Sequence, residues 1–281
     1  MARKRKTSGR TPRRTRWFRT LIALAACGAA AGGLAAYRSL SDDTTERPVT
    51  MEEASRLALS RLNLYQASPV AVTLTATEGG GVVVRVKGVV DYRTHRAVGS
   101  YQVTGSTGDS GPSRLSGSAG PAAGRIDHGL IVWDTGGLGL APAREGDNSP
   151  PWQQAEHIPR SGWSARSYTT DPLDAGLRLL IELGADRPDN PLLLAQSGAR
   201  WLESERIDGR GYDRFAGPRA QGATPGAGQD GGRSPLTYWV DADGGLRRVT
   251  MRISGLGTPT TVEFSGRDGR AKLPETPWET G

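Results

Sequence analysis

The stretch LTYWVDADGGLRRVTMRIS, residues 236–254, indicates more about the fold than any other part of this chain. Two runs rich in β-branched, aromatic and aliphatic residues flank Asp241-Ala242-Asp243-Gly244-Gly245. The residue types of that central segment tolerate the positive φ angles of a tight turn. The pattern therefore predicts an antiparallel β-hairpin.

Further strand-like runs lie on both sides of this hairpin. Residues 70–76, 82–90 and 97–104 are rich in β-branched side chains, and the polar segment 91–96 between the last two is turn-like. These runs predict an antiparallel meander. Additional strands are predicted at residues 127–134, 199–207, 212–216 and 261–265.

Two helices are predicted from their first turns. Thr50 and Glu53 form a capping box, in which each side chain accepts a hydrogen bond from the other residue's backbone N–H. That helix should end before Pro69 and pack on the domain through Ala54, Leu57, Ala58, Leu62 and Tyr65. Asp171, as N-cap, and Pro172 start a second helix with the apolar stripe Leu173, Leu177, Leu180 and Ile181.

The remaining segments predict loops. Residues 105–124 and 217–235 are rich in Gly and small polar residues and are expected to be flexible, and residues 142–159 are expected to be irregular. A short helix or turn is expected at 191–197, and a frayed tail at 273–281. Together the elements predict an α+β domain, in which helices cover one side of an antiparallel sheet.

The N-terminus indicates where the domain resides. Nine of the 36 Lys and Arg residues precede residue 20, where no acidic residue occurs, and residues 21–37 (LIALAACGAAAGGLAAY) are apolar. Flanking cations hold their end of an apolar segment in the cytoplasm, so the rest of the chain is expected outside it. That remainder has 27 Lys and Arg against 29 Asp and Glu, so the net charge of +7 does not indicate nucleic-acid binding.

Three interpretations of residues 20–37 stay open. The segment is close to the lower limit of about 17–20 residues for an uncleaved transmembrane helix. It could instead be a signal peptide cleaved after the small residues 29–31. In the third interpretation Leu24-Ala25-Ala26-Cys27 is a lipobox, and Cys27 carries lipid. The predicted organisation is a basic cytoplasmic segment (1–19), this anchor or signal (20–37), a linker (38–49) and one extracytoplasmic domain (50–277).

Catalytic and metal-binding patterns are weak. Cys27 is the only cysteine, and His95, His128 and His157 lack ligand spacing, so no metal or other cofactor is expected. Residues 108–112 (GDSGP) are similar to the nucleophile loop of trypsin-like proteases, but that family's histidine motif AAHC is absent. A serine hydrolase using Ser110 is therefore a distant third hypothesis. Residues 241–244 lack the glutamate that a calcium loop has at its twelfth position.

The order of elements resembles a known family. Residues 238–244 (YWVDADG) with 246–249 (LRRV), the 171–173 (DPL) helix start and the 262–265 (VEFS) strand are similar to the actinobacterial LppX/LprG-like lipoproteins and, more distantly, to the LolA/LolB lipoprotein carriers. The resemblance implies a strongly curved antiparallel sheet, an open half-barrel, with helices on its concave side and an apolar cavity between them. Members of that family bind lipid or lipoprotein acyl chains and act as carriers or chaperones.

The leading hypothesis is a non-enzymatic, membrane-tethered protein that binds a membrane lipid or an acylated molecule outside the cytoplasm. The alternative is a tethered signalling or scaffold module without a ligand cavity, which would bind another envelope protein. Candidates to line a lipid cavity are Leu57, Leu62, Val84, Val86, Trp133, Leu177, Leu180, Trp201 and Trp239.

Overall fold

The computed structural model describes residues 46–105, 128–144, 146–218, 234–253 and 258–278. They belong to one compact unit that begins at Glu46. The apolar segment 20–37 with Cys27, and Ser110 with most of the two predicted flexible loops, lie outside the described residues. Within the described ranges, none of the helices has the length and hydropathy that a transmembrane span requires.

The described strands form one open antiparallel sheet of 12 strands. The strands are Arg47–Pro48 (β1), Val70–Thr77 (β2), Val83–Asp91 (β3), Arg96–Thr104 (β4), His128–Asp134 (β5), Leu138–Ala141 (β6), Ser164–Arg166 (β7), Arg200–Ile207 (β8), Arg210–Ala216 (β9), Leu236–Val240 (β10), Leu246–Met251 (β11) and Thr260–Arg267 (β12). Their order in the sheet is β1-β8-β9-β10-β11-β12-β2-β3-β4-β5-β6-β7.

The described helices are Met51–Ala67 (α1), Pro151–Glu156 (α2), Pro172–Glu182 (α3) and Pro191–Gln196 (α4), with 3-10 turns at Gly79–Gly81 and Arg160–Gly162. Every predicted strand and both predicted longer helices are present. Sequence reasoning missed β6, β7 and α2, and it placed β1 in the linker. These elements are short, so they carry too few residues for a periodic pattern.

One face of the sheet, which we call the helix face, packs against α1, α3 and α4. Strand alternation places every second side chain on this face. The register confirms a continuous row across the sheet, in which Phe215, Tyr238, Val249, Val262, Leu74, Val86 and Tyr101 are successive neighbours. Together with the apolar side chains of α1 and α3 they form the main core.

A second, smaller core lies on the opposite face, which we call the outer face. Val98 and Val132 are paired neighbours there and pack with Ala155 of α2. Partly buried aromatic and aliphatic residues cover them, namely Trp152, Trp163, Leu273 and Trp278. Helices therefore occupy both faces of the sheet, whereas the sequence predicted them on one.

The C-terminal segment is ordered through Trp278, against the prediction of a frayed tail. The Trp278 indole Nε1–H donates to Asp134 Oδ2 at 2.7 Å, and Thr276 is buried. The tail covers apolar surface of the outer face, which stabilises it although its sequence carries no helix or strand pattern.

Candidate functional site

A cleft of about 470 Å³ lies on the helix face between α1, the C-terminal end of α3, and α4. Its volume falls within the range of about 300–1,000 Å³ that small-molecule pockets span. The apolar lining consists of Leu57, Leu179, Leu183, Leu193, Leu194, Pro218 and Tyr238. The polar lining consists of Ser60, Arg61, Glu182, Asp189, Asn190 and Ser197.

Arg61 of α1 holds the rim of the cleft together. Its guanidinium donates to the carbonyl oxygens of Leu183 at 2.9 Å and Glu182 at 3.2 Å, and pairs with Asp189 Oδ1 at 3.1 Å. The last carbonyls of α3 lack partners within the helix, so a cation is well placed there. One side chain therefore fixes the end of α3 and the α3–α4 link to α1.

The α3–α4 link is also fixed to α1 through the backbone. The Ala185 N–H donates to the Arg61 carbonyl oxygen, and the Asp189 N–H donates to the Ala58 carbonyl oxygen, both at 3.1 Å. Hydrogen bonds between backbone groups do not depend on side-chain rotamers. The width of the cleft is therefore set by rigid contacts on this side.

A local cap fixes the start of helix α4. The Asn190 side-chain oxygen accepts from the N–H of Leu192 at 2.9 Å and of Leu193 at 3.3 Å, and Pro191 occupies the first turn. Leu194 packs against the main core, whereas Leu192 and Leu193 are 51% and 61% exposed. The helix thus places one exposed leucine, Leu193, in the lining of the cleft.

Tyr238 of β10 contributes an aromatic ring to the cleft. Burial raises the pKa of its hydroxyl to about 12. The group therefore stays neutral at physiological pH, and the apolar lining carries no phenolate charge.

Five of the predicted cavity residues fill the core and do not line the cleft. Val84, Val86, Trp133, Leu177 and Leu180 are fully buried against one another and their neighbours in the main core. The space between α3 and the sheet is consequently occupied by side chains of the protein itself.

The other predicted cavity residues are dispersed. Leu57 lines the cleft, and Leu62 is half-buried outside it. Trp201 is half-buried near the sheet edge, where Arg47 lies 4.5 Å from its ring centroid and its Nε1–H donates to Asp213 at 3.2 Å.

Trp239 lies on the outer face, away from the cleft. It follows Tyr238 in β10, so strand alternation points it in the opposite direction. The guanidinium carbons of Arg214 and Arg248 lie 5.7 and 5.4 Å from its ring centroid, and its Nε1–H donates to Glu205 Oε2 at 2.6 Å. Arg248 in turn pairs with Glu263 at 2.8 Å. Trp239 therefore stabilises the sheet through a ladder of charged and aromatic contacts.

Sequence reasoning missed most of the residues that line the cleft. The spacing of Leu179 and Leu183, four residues apart at the end of a predicted helix, was one available signal. The run PLLLAQ, residues 191–196, was another, because three consecutive leucines cannot all be buried by a helix of this length. No local sequence pattern indicated that Arg61 lines the cleft, since its hydrogen-bond partners are 121 to 128 residues away along the chain.

Two of the polar residues considered for chemistry, Asp241 and His95, have structural partners. Asp241 Oδ1 accepts from the N–H of Asp243 at 3.0 Å and of Gly245 at 2.6 Å, so this carboxylate stabilises the hairpin turn. His95 Nδ1 lies 3.2 Å from the Ile181 carbonyl oxygen. Among the residues that the structure describes, no group of three or more His, Cys, Asp and Glu is placed to hold a metal ion.

The fold has weak likenesses among solved structures. One is an uncharacterized conserved protein from Thermus thermophilus, with 8% identity, a TM-score of 0.32, and coverage of 74% of this chain and 83% of that one. Another is an outer membrane lipoprotein-sorting protein domain from Vibrio parahaemolyticus, with 9% identity, a TM-score of 0.20, and coverage of 71% and 85%. No protein-family model and no curated protein matches the sequence. Likenesses this weak assign neither a family nor a function.

Proposed function

We propose that this protein is a non-catalytic binding protein that holds an acyl chain of a lipid or acylated molecule in the cleft between α1, α3 and α4. The single observation that carries this proposal is a half-open cleft lined by five leucines from three helices and their ends. Attachment to the membrane through residues 20–37, with the domain outside the cytoplasm, is part of the proposal. A carrier or chaperone role of the LppX/LprG-like kind is its finer form.

The hydrogen bonds that the polar side chains of the cleft already make favour an apolar ligand. Ser60 Oγ donates to the Leu57 carbonyl oxygen at 2.7 Å, and Ser197 Oγ donates to the Leu194 carbonyl oxygen at 2.9 Å. The Asn190 side chain caps α4, and Arg61 binds three acceptors. A site that orients a polar substrate needs convergent unpaired donors and acceptors. Five of the six polar lining residues already bond within the protein, and the sixth, Glu182, is exposed to solvent, so burial of apolar surface is the main source of affinity.

A second candidate is the scaffold module without a ligand cavity. The observation in its favour is the filled space between α3 and the sheet, where Leu74, Leu177 and Leu180 are all 0% exposed. In this alternative the cleft would be a surface groove, and another envelope protein would bind the domain.

The test uses two neighbouring leucines of α4. In the unit of residues 46–281, which has its own core, Leu193→Asp places a charge in the lining of the cleft. We expect this change to weaken binding of a fluorescent fatty acid at least about tenfold, which corresponds to about 1.4 kcal/mol. Leu192→Asp is the matched control, because Leu192 is exposed but does not line the cleft, and its affinity should stay within about twofold.

Two results would count against acyl-chain binding. The first is a wild-type unit that neither binds the fluorescent fatty acid nor carries lipid in native mass spectrometry after purification from its host. The second is equal loss of affinity in both variants. Either result would favour the scaffold alternative.

A further inference from the structure

A second cavity, of about 510 Å³, lies among the segment after β6, helix α2 and the segment after β12. It belongs to the outer face, because Trp152 of α2, which lines it, covers the small core there. Its charged lining consists of the basic residues Arg144, His157, Arg270 and Lys272 and the acidic residues Asp147 and Glu156. We call it the basic cavity. Its volume is that of a small-molecule pocket.

Hydrogen bonds fix the wall that the segment after β6 contributes. Asp147 Oδ1 accepts from the Ser149 N–H at 2.9 Å and from the Ser149 hydroxyl. Gln154 of α2 donates through Nε2 to the carbonyl oxygens of Asp147 at 3.2 Å and Ser149 at 2.7 Å. The hydrogen bonds from Ser149 lower the pKa of Asp147, and the charges of Arg144 and His157 lower it further. The Asp147 carboxylate therefore stays ionised and is already used within this loop.

The opposite wall carries two cations on a backbone that is fixed at both ends. The Asp268 N–H donates to the Pro69 carbonyl oxygen at 2.8 Å, and Asp268 Oδ1 accepts from the Arg270 N–H at 3.2 Å. Leu273 packs on the small core of the outer face. Arg270 and Lys272 lie between these two anchored points and both line the cavity.

The permanent cations of the basic cavity lack acidic partners. Within the described ranges, the side chains of Arg144, Arg270 and Lys272 make neither a hydrogen bond nor an ion pair. Elsewhere in the domain, Arg61 and Arg166 pair with aspartates. Three permanent cations face two carboxylates in the lining, so the cavity is positive even with His157 neutral. Such a site attracts an anion, and its affinity should fall as salt is added.

We propose that the basic cavity binds a phosphate group, held by the guanidinium groups of Arg144 and Arg270 and the ammonium group of Lys272. A guanidinium can donate two parallel hydrogen bonds to phosphate oxygens, and an ammonium supplies a compact positive charge. A phosphate monoester carries close to two negative charges at pH 7, so it suits several cations better than a single carboxylate does. The group could belong to a phospholipid head or to a soluble phosphate ester.

This site is independent of the acyl-chain cleft. The cleft lies on the helix face between α1, α3 and α4, whereas the basic cavity lies on the outer face, and their linings share no residue. Phosphate binding therefore goes beyond the proposed function, and each of the two proposals can fail alone.

The first experiment measures binding of inorganic phosphate to the unit of residues 46–281 by isothermal titration calorimetry at pH 7 and low salt. We expect a Kd of about 1 mM or tighter. Arg144→Gln and Arg270→Gln should each weaken binding at least about fivefold, because each removes a charged donor. Both side chains are exposed, so these changes should leave the fold intact. Arg267→Gln is the matched control: it removes an exposed arginine at the end of β12 that does not line the cavity, and affinity should stay within about twofold.

The second experiment identifies the source of the phosphate. The same unit is floated with phosphatidylcholine vesicles that contain or lack phosphatidic acid. Flotation that requires phosphatidic acid and is lost in Arg270→Gln would support the site and identify a lipid head group. Phosphate binding without such flotation would support it and identify a soluble phosphate ester.

Two results would overturn the phosphate site. One is a wild-type unit that shows neither phosphate binding nor flotation dependent on phosphatidic acid. The other is equal weakening of phosphate binding by Arg267→Gln and Arg270→Gln, which would mean that only the overall charge matters. Fatty-acid binding should be unchanged in Arg270→Gln, and phosphate binding should be unchanged in Leu193→Asp, so failure of this site is distinguishable from failure of the proposed function.

Discussion

Asp174 is the most constrained carboxylate among the described residues, since its side chain is 0% exposed. Arg166 of β7 donates to both of its oxygens, at 2.6 and 2.9 Å, and Thr169 donates to Oδ2 through its backbone N–H at 2.6 Å and its hydroxyl at 2.7 Å. Burial alone would raise the pKa of Asp174, but these hydrogen bonds outweigh it and hold the pKa below its usual range. The edge strand β7 is thereby tied to α3.

The sequence predicted that a different acidic residue, Asp171, caps the start of α3. Asp171 occupies the N-cap position of α3, with φ −65° and ψ 151°, but its side chain makes no capping hydrogen bond. Asp174 instead satisfies groups that precede the helix. Both residues are acidic and lie in or beside the first turn, so local sequence could not distinguish them; the position of Arg166 does.

Replacing Asp174 should therefore destabilise the domain strongly. Asp174→Asn keeps the shape of the side chain but leaves the Arg166 guanidinium without its charged partner. We expect the free energy of unfolding to fall by about 2–4 kcal/mol, because breaking a buried ion pair leaves a poorly compensated charge. Urea denaturation followed by tryptophan fluorescence measures it. The exposed Asp186→Asn is the control and should change the value by less than about 0.5 kcal/mol; equal effects would contradict the argument.

At the scale of elements, α1 is the helix whose cap and buried stripe the local sequence predicts best. The predicted capping box is confirmed: Glu53 N–H donates to Thr50 Oγ1 at 3.2 Å, and Thr50 N–H donates to Glu53 Oε2 at 2.8 Å. The buried stripe includes Ala54, Leu57 and Ala58 as predicted. Leu64 is buried and Leu62 is half-buried, because Leu64 lies seven residues after Leu57 and therefore on the same face of the helix.

The cap also joins α1 to the sheet edge. Glu53 accepts from Arg47 at 2.6 and 2.8 Å, and Arg47 in turn covers the Trp201 ring. The capping glutamate thus connects α1 with β1, an interaction that no local pattern in the sequence predicts. It fixes the start of the domain against the sheet edge.

Removing the Thr50 cap should lower the stability of the domain moderately. Thr50→Ala deletes the acceptor of the Glu53 N–H, and we expect the free energy of unfolding to fall by about 1 kcal/mol. Thr50→Ser should restore it. Ser55→Ala is the control within the same helix, because its hydroxyl only donates to the Met51 carbonyl oxygen and alanine is the better helix former. A loss on Ser55→Ala as large as that on Thr50→Ala would mean that the cap is not the cause.

For the molecule as a whole, three carboxylates with lowered pKa values connect separate elements. They are Glu53 at the start of α1, Asp174 in α3 and Asp213 in β9. Burial raises the pKa of each, and hydrogen bonds from neighbouring side chains and backbone groups lower it further than burial raises it. Asp213 accepts from Ser204 and Trp201 and pairs with Arg56 at 2.7 Å.

These shifts predict how stability depends on pH. A group with a lowered pKa in the folded state binds fewer protons there than in the unfolded chain, so its contribution is complete above the ordinary values of 3.8 and 4.5 and is lost as pH falls. We expect the urea midpoint to be level near neutral pH and to decline below about pH 5. Asp174→Asn should make the decline shallower. A midpoint that rises on acidification, or an unchanged slope in the variant, would contradict this account.

The sequence by itself determined the longer strands and helices of the domain. Strand alternation, the 236–254 hairpin and the Thr50 cap are local patterns, because φ and ψ preferences and capping act within a few residues. The fold class followed from those elements in order. The predictions on residues 20–37, Cys27 and Ser110 remain predictions.

Only the tertiary structure decided which apolar residues fill the core and which surround open space. Trp133 and Leu177 look like cavity residues in sequence but pack fully, whereas Leu183 and Leu193 line the cleft. The difference depends on where α3 ends and how Arg61 holds the α3–α4 link against α1. Burial of an apolar side chain is similarly favourable against any apolar neighbour, so hydrophobicity alone cannot specify the partner. The long-range contacts that place three helices on one sheet make that choice.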